Sequence, residues 1–319
     1  MKTVMKAVVL ATALFTAAAF ADTDYPSRPI TLVIGFAPGG GNDVMGRLVA
    51  EKLRGELGQP VVVENRAGAD GAIAAQVVAN AKPDGYKLLS GSSGMMAYNP
   101  GLNPSLGYDP ARDFIPVTMI GYSQLVFSVT PSLPVKSLRE LIDYAKSKPD
   151  ALFYASPSSP HRVAFEAFKT LTGTQIGHIP YKGSGPAILA AMSGDVQVLV
   201  SSVSDALPQT AAGKLRPLAV TGTKRSGFMP EVPTAIESGI DFESASWIGL
   251  YAPRATPAAI IEKLYQALIK VQNSDGFKKS IVSVGYEQYP PMTTAAFSAF
   301  QKAELTRWSK VIKDLNLQP

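Results

Sequence analysis

The sequence predicts an α/β protein of two lobes, each a mostly parallel sheet flanked by helices, with two segments crossing between the lobes. Strand-length apolar runs alternate with helical stretches from residue 30 to residue 220, the pattern of parallel sheets covered by helices. Most of these runs end in loops of glycine and serine. Two apolar extended runs, Phe114 to Val129 and Trp247 to Tyr251, bracket the middle of the chain, and the tail beyond Pro257 is helical. The lobes are therefore expected at 22–123 with 246–319, and at 124–245.

Met1 to Ala21 reads as a targeting segment. Lys2 and Lys6 open it, Ala7 to Phe20 is nearly all apolar but short for a membrane span, and Ala19-Phe20-Ala21 fits the small-x-small cleavage rule. The mature chain is expected to begin near Asp22 and to be periplasmic. Without Lys2 and Lys6 the formal charge falls from +5 to +3, and no basic run is interleaved with aromatics, so nucleic acid is not an expected partner. With 0 cysteines, disulfides, thiolate metal sites and thiol nucleophiles are excluded. No cofactor or metal is expected, and the protein is expected to be a monomer.

The first lobe is organised around Ile30 to Arg47, ITLVIGFAPGGGNDVMGR. Ile30 to Phe36 is a strand, Gly39, Gly40 and Gly41 let the backbone turn, and Asn42 or Asp43 suits the cap of a helix. Val44, Leu48, Leu53 and Leu57 share one face of that helix, and Gly58 and Pro60 stop it. A strand, a glycine loop and a helix N-terminus make a receptor for an anionic oxygen, with a plain turn as the competing reading. A dinucleotide fingerprint fails, because its third glycine would fall on Val44. A P-loop fails too, because Arg47 and Leu48 stand where lysine and a hydroxyl residue are needed.

Pro60 to Asn65 is a second strand, followed by the turn Ala67 to Gly71 and an alanine-rich helix to about Ala81; Tyr86 to Ser90 is a third strand. The loops Ala37 to Asp43 and Gly91 to Gly94 could face one cleft beyond the strand ends. In the second lobe, Ser137 to Glu140 is a capping box and Leu152 to Ala155 a strand. The loop Ser156 to Pro160 has Ser159 as cap and Pro160 in the first turn. Strands follow at Ile176 to Pro180, Gln197 to Val200 and Leu218 to Val220, with the loop Ser201 to Asp205 between the last two. Thr256 and Pro257 open one tail helix, and Thr294 to Asp314 is another.

From about Tyr25 to the C-terminus the segments YPSRPITLVIGFAPGGGND, GQPVVVENRAGADG, KPDGYKLL, YDPARDF, HIPYKGSGPA, AGKLRPLAVT, PEVPT and WIGLYAP run in register. Together they closely resemble the Bug (TctC-type) solute receptors of tripartite tricarboxylate transporters. The resemblance implies a type II-like periplasmic binding protein that captures a small carboxylate and delivers it to membrane permease subunits. In that family backbone amides and ordered waters usually hold the carboxylate. Carried over, the first-lobe contacts would be Phe36, Ala37, Gly39, Gly40, Gly41, Asn42, Ser92 and Ser93. Those of the second lobe would be Ser156, Ser158, Ser159, His161 and Ser201. Relatives typically carry a longer glycine-containing loop before the histidine, and many carry aspartate where this chain has Ser201. An aspartate would suit a ligand ammonium, so its absence favours a plain organic acid over an amino acid. A bulky β-branched residue at Gly40 is expected to abolish binding.

Other side chains have structural readings. Asp43 suits a helix cap better than a ligand contact, since a carboxylate repels an anionic solute. His161 could meet a carboxylate when protonated or could serve as a structural hydrogen-bonding group. Arg47 reads as an ion-pair residue, Lys182 as solvated and Trp247 as packing at the crossing. An enzyme is the rival class: Ser158, His161 and Asp205 are the residue types of a hydrolytic set, but no G-x-S-x-G elbow occurs. A sensor feeding a membrane kinase is the third reading.

Overall fold

The computed structural model describes residues 24–287 and 289–318, and the targeting segment lies outside them. β1 (Ile30–Ile34) is buried on both faces, as expected for an apolar central strand. α1 (Gly41–Leu57) follows it, then β2 (Val61–Asn65), α2 (Ala72–Ala79) and β3 (Lys87–Ser92). A π turn (Gly94–Tyr98) runs into α3 (Asn99–Leu102), and β4 (Phe114–Val129) leads out. Next come α4 (Leu138–Ser147), β5 (Phe153–Ser156), α5 (Ser159–Thr172), β6 (Gly177–Pro180), α6 (Ser184–Ser193), β7 (Val198–Ser202), α7 (Val203–Ala211) and β8 (Arg216–Val220). β9 (Ala245–Pro253) precedes α8 (Ala258–Asn273), α9 (Asp275–Ser283) and α10 (Thr294–Asp314).

The nine strands form one sheet in the order β2-β1-β3-β9-β4-β7-β5-β6, with β8 also paired to β4. Pairs β1–β2, β1–β3, β5–β6 and β5–β7 are parallel, and the middle pairs around β4 and β9 are antiparallel. The 16-residue β4 belongs to both halves. Phe114 to Gln124 pair with β9, and Leu125 to Val129 pair with β7 and β8, so the change of partner falls between Gln124 and Leu125.

Separate cores flank the two ends of the sheet. On one face of the first half, Met45, Val49 and Leu53 of α1 meet Leu264 and Leu268 of α8 and Phe277 of α9. The opposite face packs α2, the π turn and α10, including Trp308 stacked on Tyr98. The second half is centred on Phe127, Phe165, Phe168, Tyr154 and Phe242, whose ring centroids lie 4.4–6.2 Å apart in six contacts.

Several local expectations shift. The inward face of α1 carries Met45, Gly46, Val49 and Leu53, while Val44 is exposed. Gly46 sets this rotation: a Cβ there would lie 2.4 Å from Ile34 Cδ1, so the helix seats on β1 through its glycine. The cap position of α1 is Gly40 rather than Asn42 or Asp43, and that of α5 is Ser158, with Ser159 in the first turn beside Pro160. β3 runs on through Ser92, and Ser156 and Ser201 end or lie within strands, because ladder pairing extends beyond the apolar residues.

Candidate functional site

The sheet register brings the strand ends together. Ser92 at the end of β3 lies opposite Ile248, which lies opposite Gly121 of β4; Ser202 at the end of β7 lies opposite Leu125. The carboxyl ends of both parallel sets therefore converge on β4 between Gly121 and Leu125. This is the topological position where α/β sheets hold ligands.

On the first-half side, the loop from Phe36 to Gly41 is held by Asp43. Its carboxylate accepts the Gly39 N–H at 2.9 Å, Arg47 Nε at 2.9 Å and Asn65 Nδ2 at 2.8 Å. Burial alone would raise its pKa, but the Arg47, Gly39 and Asn65 hydrogen bonds outweigh burial and hold it below the ordinary value. Asp43 is thus a loop anchor, and Arg47 its partly exposed ion-pair partner. Gly39, at φ 87°, adopts the left-handed conformation that glycine favours. Phe36 packs against the core, and its carbonyl accepts Asn65 Nδ2 at 3.0 Å. Ala37, Gly39 and Gly40 are exposed, and Gly40 begins the helix by accepting the Val44 N–H through its carbonyl. Gly41 lies between Tyr286 of the first half and Asp205 of the second: a Cβ there would stand 2.8 Å from the Tyr286 hydroxyl and 3.1 Å from Asp205 Oδ1.

The serines divide. Ser92 Oγ accepts the Met95 N–H at 3.3 Å, Ser156 Oγ pairs with His178 Nε2 at 2.7 Å, and Ser158 Oγ pairs with His161 Nδ1 at 2.8 Å. Ser159 Oγ donates to Asn99 Oδ1 at 2.7 Å. Ser93 Oγ, Ser201 Oγ and Asn42 Oδ1 are buried without a hydrogen-bond partner. Ser90 Oγ within β3 and Trp247 Nε1 within β9 share that condition, as does Ser128 Oγ in the far part of β4. An unpaired buried oxygen costs about 1–3 kcal/mol, which a ligand donor or water would recover.

His161 is buried with both ring nitrogens against hydroxyls, Ser158 on one side and Ser202 at 3.3 Å on the other. Burial lowers its pKa to about 3. It is neutral at physiological pH and does not meet an anion as a cation. Among the described residues the second nitrogen faces Ser202 rather than a carboxylate, and Asp205 accepts Ser184 Oγ, so these three residues do not form a Ser-His-Asp relay.

The histidine environment has a readable pH signature. A folded-state pKa below the ordinary 6.5 gives stability that is full above about pH 6.5 and is lost as pH falls toward 3. His161→Gln is expected to flatten the stability curve between pH 6.5 and pH 5 by up to about 1.4 kcal/mol per pH unit. Urea unfolding across that window checks it. Burial raises the pKa values of Asp70 and Asp205, which favours low pH and opposes the slope; both stay in place in the variant.

Residue-type patterns did not mark Tyr286 or Asp70 at this site, and marked Asp205 only as a possible member of a hydrolytic set. Asp205, in the first turn of α7, accepts Ser184 Oγ at 2.5 Å. Tyr286, from the loop after α9, faces Gly41, and burial followed by the nearby Asp205 carboxylate pushes its pKa up. Asp70, in the turn after β2, accepts the Ser159 N–H at 2.9 Å. The signal available for both aspartates was a carboxylate in a small-residue loop directly after a strand. Asp205 also places a carboxylate close after Ser201, in the first turn of α7.

Comparison with known proteins identifies the family. The family profile described as tripartite tricarboxylate transporter family receptor, TctC, matches residues 45–317. Protein BugT of Bordetella pertussis is 37% identical over 313 residues, covering 96% of this chain and 95% of that protein. The structure of R. palustris Rpa4515 with adipate superposes with a TM-score of 0.87 at 38% identity, covering 93% of this chain and 100% of the other. MatC (Rpa3494) from Rhodopseudomonas palustris with bound malate gives a TM-score of 0.83 at 31% identity, covering 90% and 100%. With its fold, its converging strand-end loops and these similarities, the chain belongs to the TctC family of tripartite tricarboxylate transporter receptors.

Proposed function

We propose that the protein is a periplasmic receptor that closes two lobes, 22–123 with 246–319 and 124–245, over a small carboxylate and hands it to permease subunits of a tripartite tricarboxylate-type transporter. The observation that carries this reading is that Ser93 and Ser201 keep buried, partnerless hydroxyls where the carboxyl ends of both parallel sets meet β4, with the start of α1 beside Asp205 of the second half. Backbone N–H groups and hydroxyls there would hold a carboxylate without a covalent step. Adipate and malate, the ligands in two related structures, are both small carboxylates, which supports the ligand class. Closure follows when the bound acid makes more contacts in the closed form than in the open one. The receptor acts as a monomer.

Protein unfolded and refolded to remove carried-over ligand is the material for the test. A thermal-shift screen with adipate, malate, aspartate and glutamate should raise the melting temperature for at least one acid, by stabilisation of about 2.7 kcal/mol at a hundred times its Kd. No shift with any carboxylate would sink the reading.

A further inference from the structure

Asp70 and Ser159 belong to opposite ends of the sheet. Asp70 follows β2, the first strand in the sheet order, and Ser159 follows β5, the seventh. In a flat sheet six strand spacings would separate them by roughly 29 Å. Instead the Asp70 carboxylate lies 2.9 Å from the Ser159 N–H, in the first turn of the 14-residue α5. The carboxylate occupies a helix terminus whose N–H groups favour an anion.

The turn is shaped to deliver it. Asp70 itself has φ 50° and ψ 40°, and its neighbours Ala69 and Gly71 also have positive φ. Left-handed backbone is strained for a non-glycine residue and persists where surrounding contacts hold it. Those contacts form a closed set: Ser159 Oγ donates to Asn99 Oδ1 at 2.7 Å, and Asn99 Nδ2 donates to the Asp70 carbonyl at 3.1 Å. The π turn also meets α5 there, since a Cβ on Gly94 would lie 3.3 Å from Ser159 Oγ and 3.4 Å from Pro160 Cδ. Val163, one turn further along α5, is buried within the first-half core.

We propose that Asp70 is an interlobe latch, a built-in anion that docks on the N-terminus of α5 and holds the receptor closed without ligand. The latch rests on the two-lobe closure described above and deepens it. While Asp70 occupies this terminus, the Ser159 N–H is not available to a ligand carboxylate, so the solute's anionic group is held from the α1 side. Burial raises the Asp70 pKa against the opposing Ser159 hydrogen bonds, consistent with a carboxylate drawn out of water by closure.

The chain has 0 cysteines, so Val62→Cys and Leu189→Cys, both exposed and on opposite halves, give a clean pair for spin labelling. Interlobe distances are measured by pulsed electron resonance on refolded, ligand-free protein. Asp70→Gly suits the positive φ and removes the carboxylate; Ser159→Pro removes the N–H at a first-turn position that tolerates proline. Each is expected to lengthen the distance distribution and lower the closed-to-open ratio about tenfold. The double variant should add little to either single change, as expected of two partners in one contact. Ser159→Ala, which keeps the N–H, should open the protein less than Ser159→Pro. Unchanged distances in Asp70→Gly and Ser159→Pro, with melting curves showing both folded, would overturn the latch. Because no ligand is present, this result and the thermal-shift screen can fail separately.

Discussion

Replacing Gly41 with valine is expected to weaken carboxylate binding by about ten- to a hundredfold while leaving the protein folded. The first atom of the new side chain would fall 2.8 Å from the Tyr286 hydroxyl and 3.1 Å from Asp205 Oδ1, and the two γ carbons would reach further. Tyr286 is buried in the first-half core and has little room to withdraw. Asp205 belongs to α7 and is tied to Ser184. The Tyr286 contact lies within the first half and strains the open and closed forms alike, whereas the Asp205 contact forms on closure; overpacking that fitted contact costs about 1–3 kcal/mol, which converts to that range of affinity. Gly40→Val is the contrasting variant. Gly40 has φ −78° and ψ 164°, open to any residue, and a Cβ there would meet nothing closer than the Ala37 carbonyl at 3.8 Å. Its effect should be much smaller, contrary to the expectation from sequence. Calorimetric titration with the acid that scores in the thermal screen decides the matter; equal losses for both variants, or none for Gly41→Val, would refute the assignment of Gly41 to the closing contact.

Trp247→Ala is expected to destabilise the protein by about 3–5 kcal/mol, the cost of emptying a large site in a packed core. Trp247 is fully buried in β9 opposite Tyr122, where β4 and β9 run together toward the second half. Its ring meets Phe297 at 5.8 Å and Phe300 at 5.6 Å, both edge-on, so it joins α10 to the crossing strands. The indole Nε1 has no hydrogen-bond partner. Trp247→Phe should therefore cost less than the lost volume alone suggests, because it also removes a buried unsatisfied donor. Urea unfolding followed by circular dichroism is the suitable measurement, since the chain has only 2 tryptophans and the substitution removes one fluorescent reporter. A loss below about 1 kcal/mol for Trp247→Ala would show that the crossing does not depend on this ring.

Much of the fold was legible because its signals are local. The apolar runs at Ile30, Val61, Leu88, Phe114 and Trp247 announce strands whatever their partners, and Gly58 closes α1 in the left-handed conformation a helix end favours. The long, mostly apolar run from Phe114 to Val129 marked the passage between halves, since a strand of that length and composition needs covering along most of its length. Helix rotation was less legible. Val44 and Leu48 fit an apolar stripe as well as Met45 and Val49 do, and the close seat of Gly46 on Ile34 chose between them.

The candidate site was legible as a set of loops and not as a set of contacts. Small polar residues after apolar runs pointed to Gly39 to Asn42, Ser92 to Ser93 and Ser156 to Ser159. Ser93 and Ser201 keep unpartnered hydroxyls, while Ser156, Ser158 and Ser159 are engaged with His178, His161 and Asn99. Hydroxyl groups look alike in sequence, and only their neighbours distinguish a free donor from a committed one.

By itself, then, the sequence determined the α/β alternation, the crossing strands, the glycine loop and the absence of thiol chemistry, all of which follow from residue type and short-range spacing. The tertiary structure decided that Gly41, not Gly40, faces Asp205, that His161 is a neutral buried bridge, and that Asp70 reaches the start of α5. Those outcomes depend on the sheet bending at β4 so that residues 89 positions apart come within hydrogen-bond distance. Spacing along a chain carries no record of that approach; burial and pairing across the bend create it.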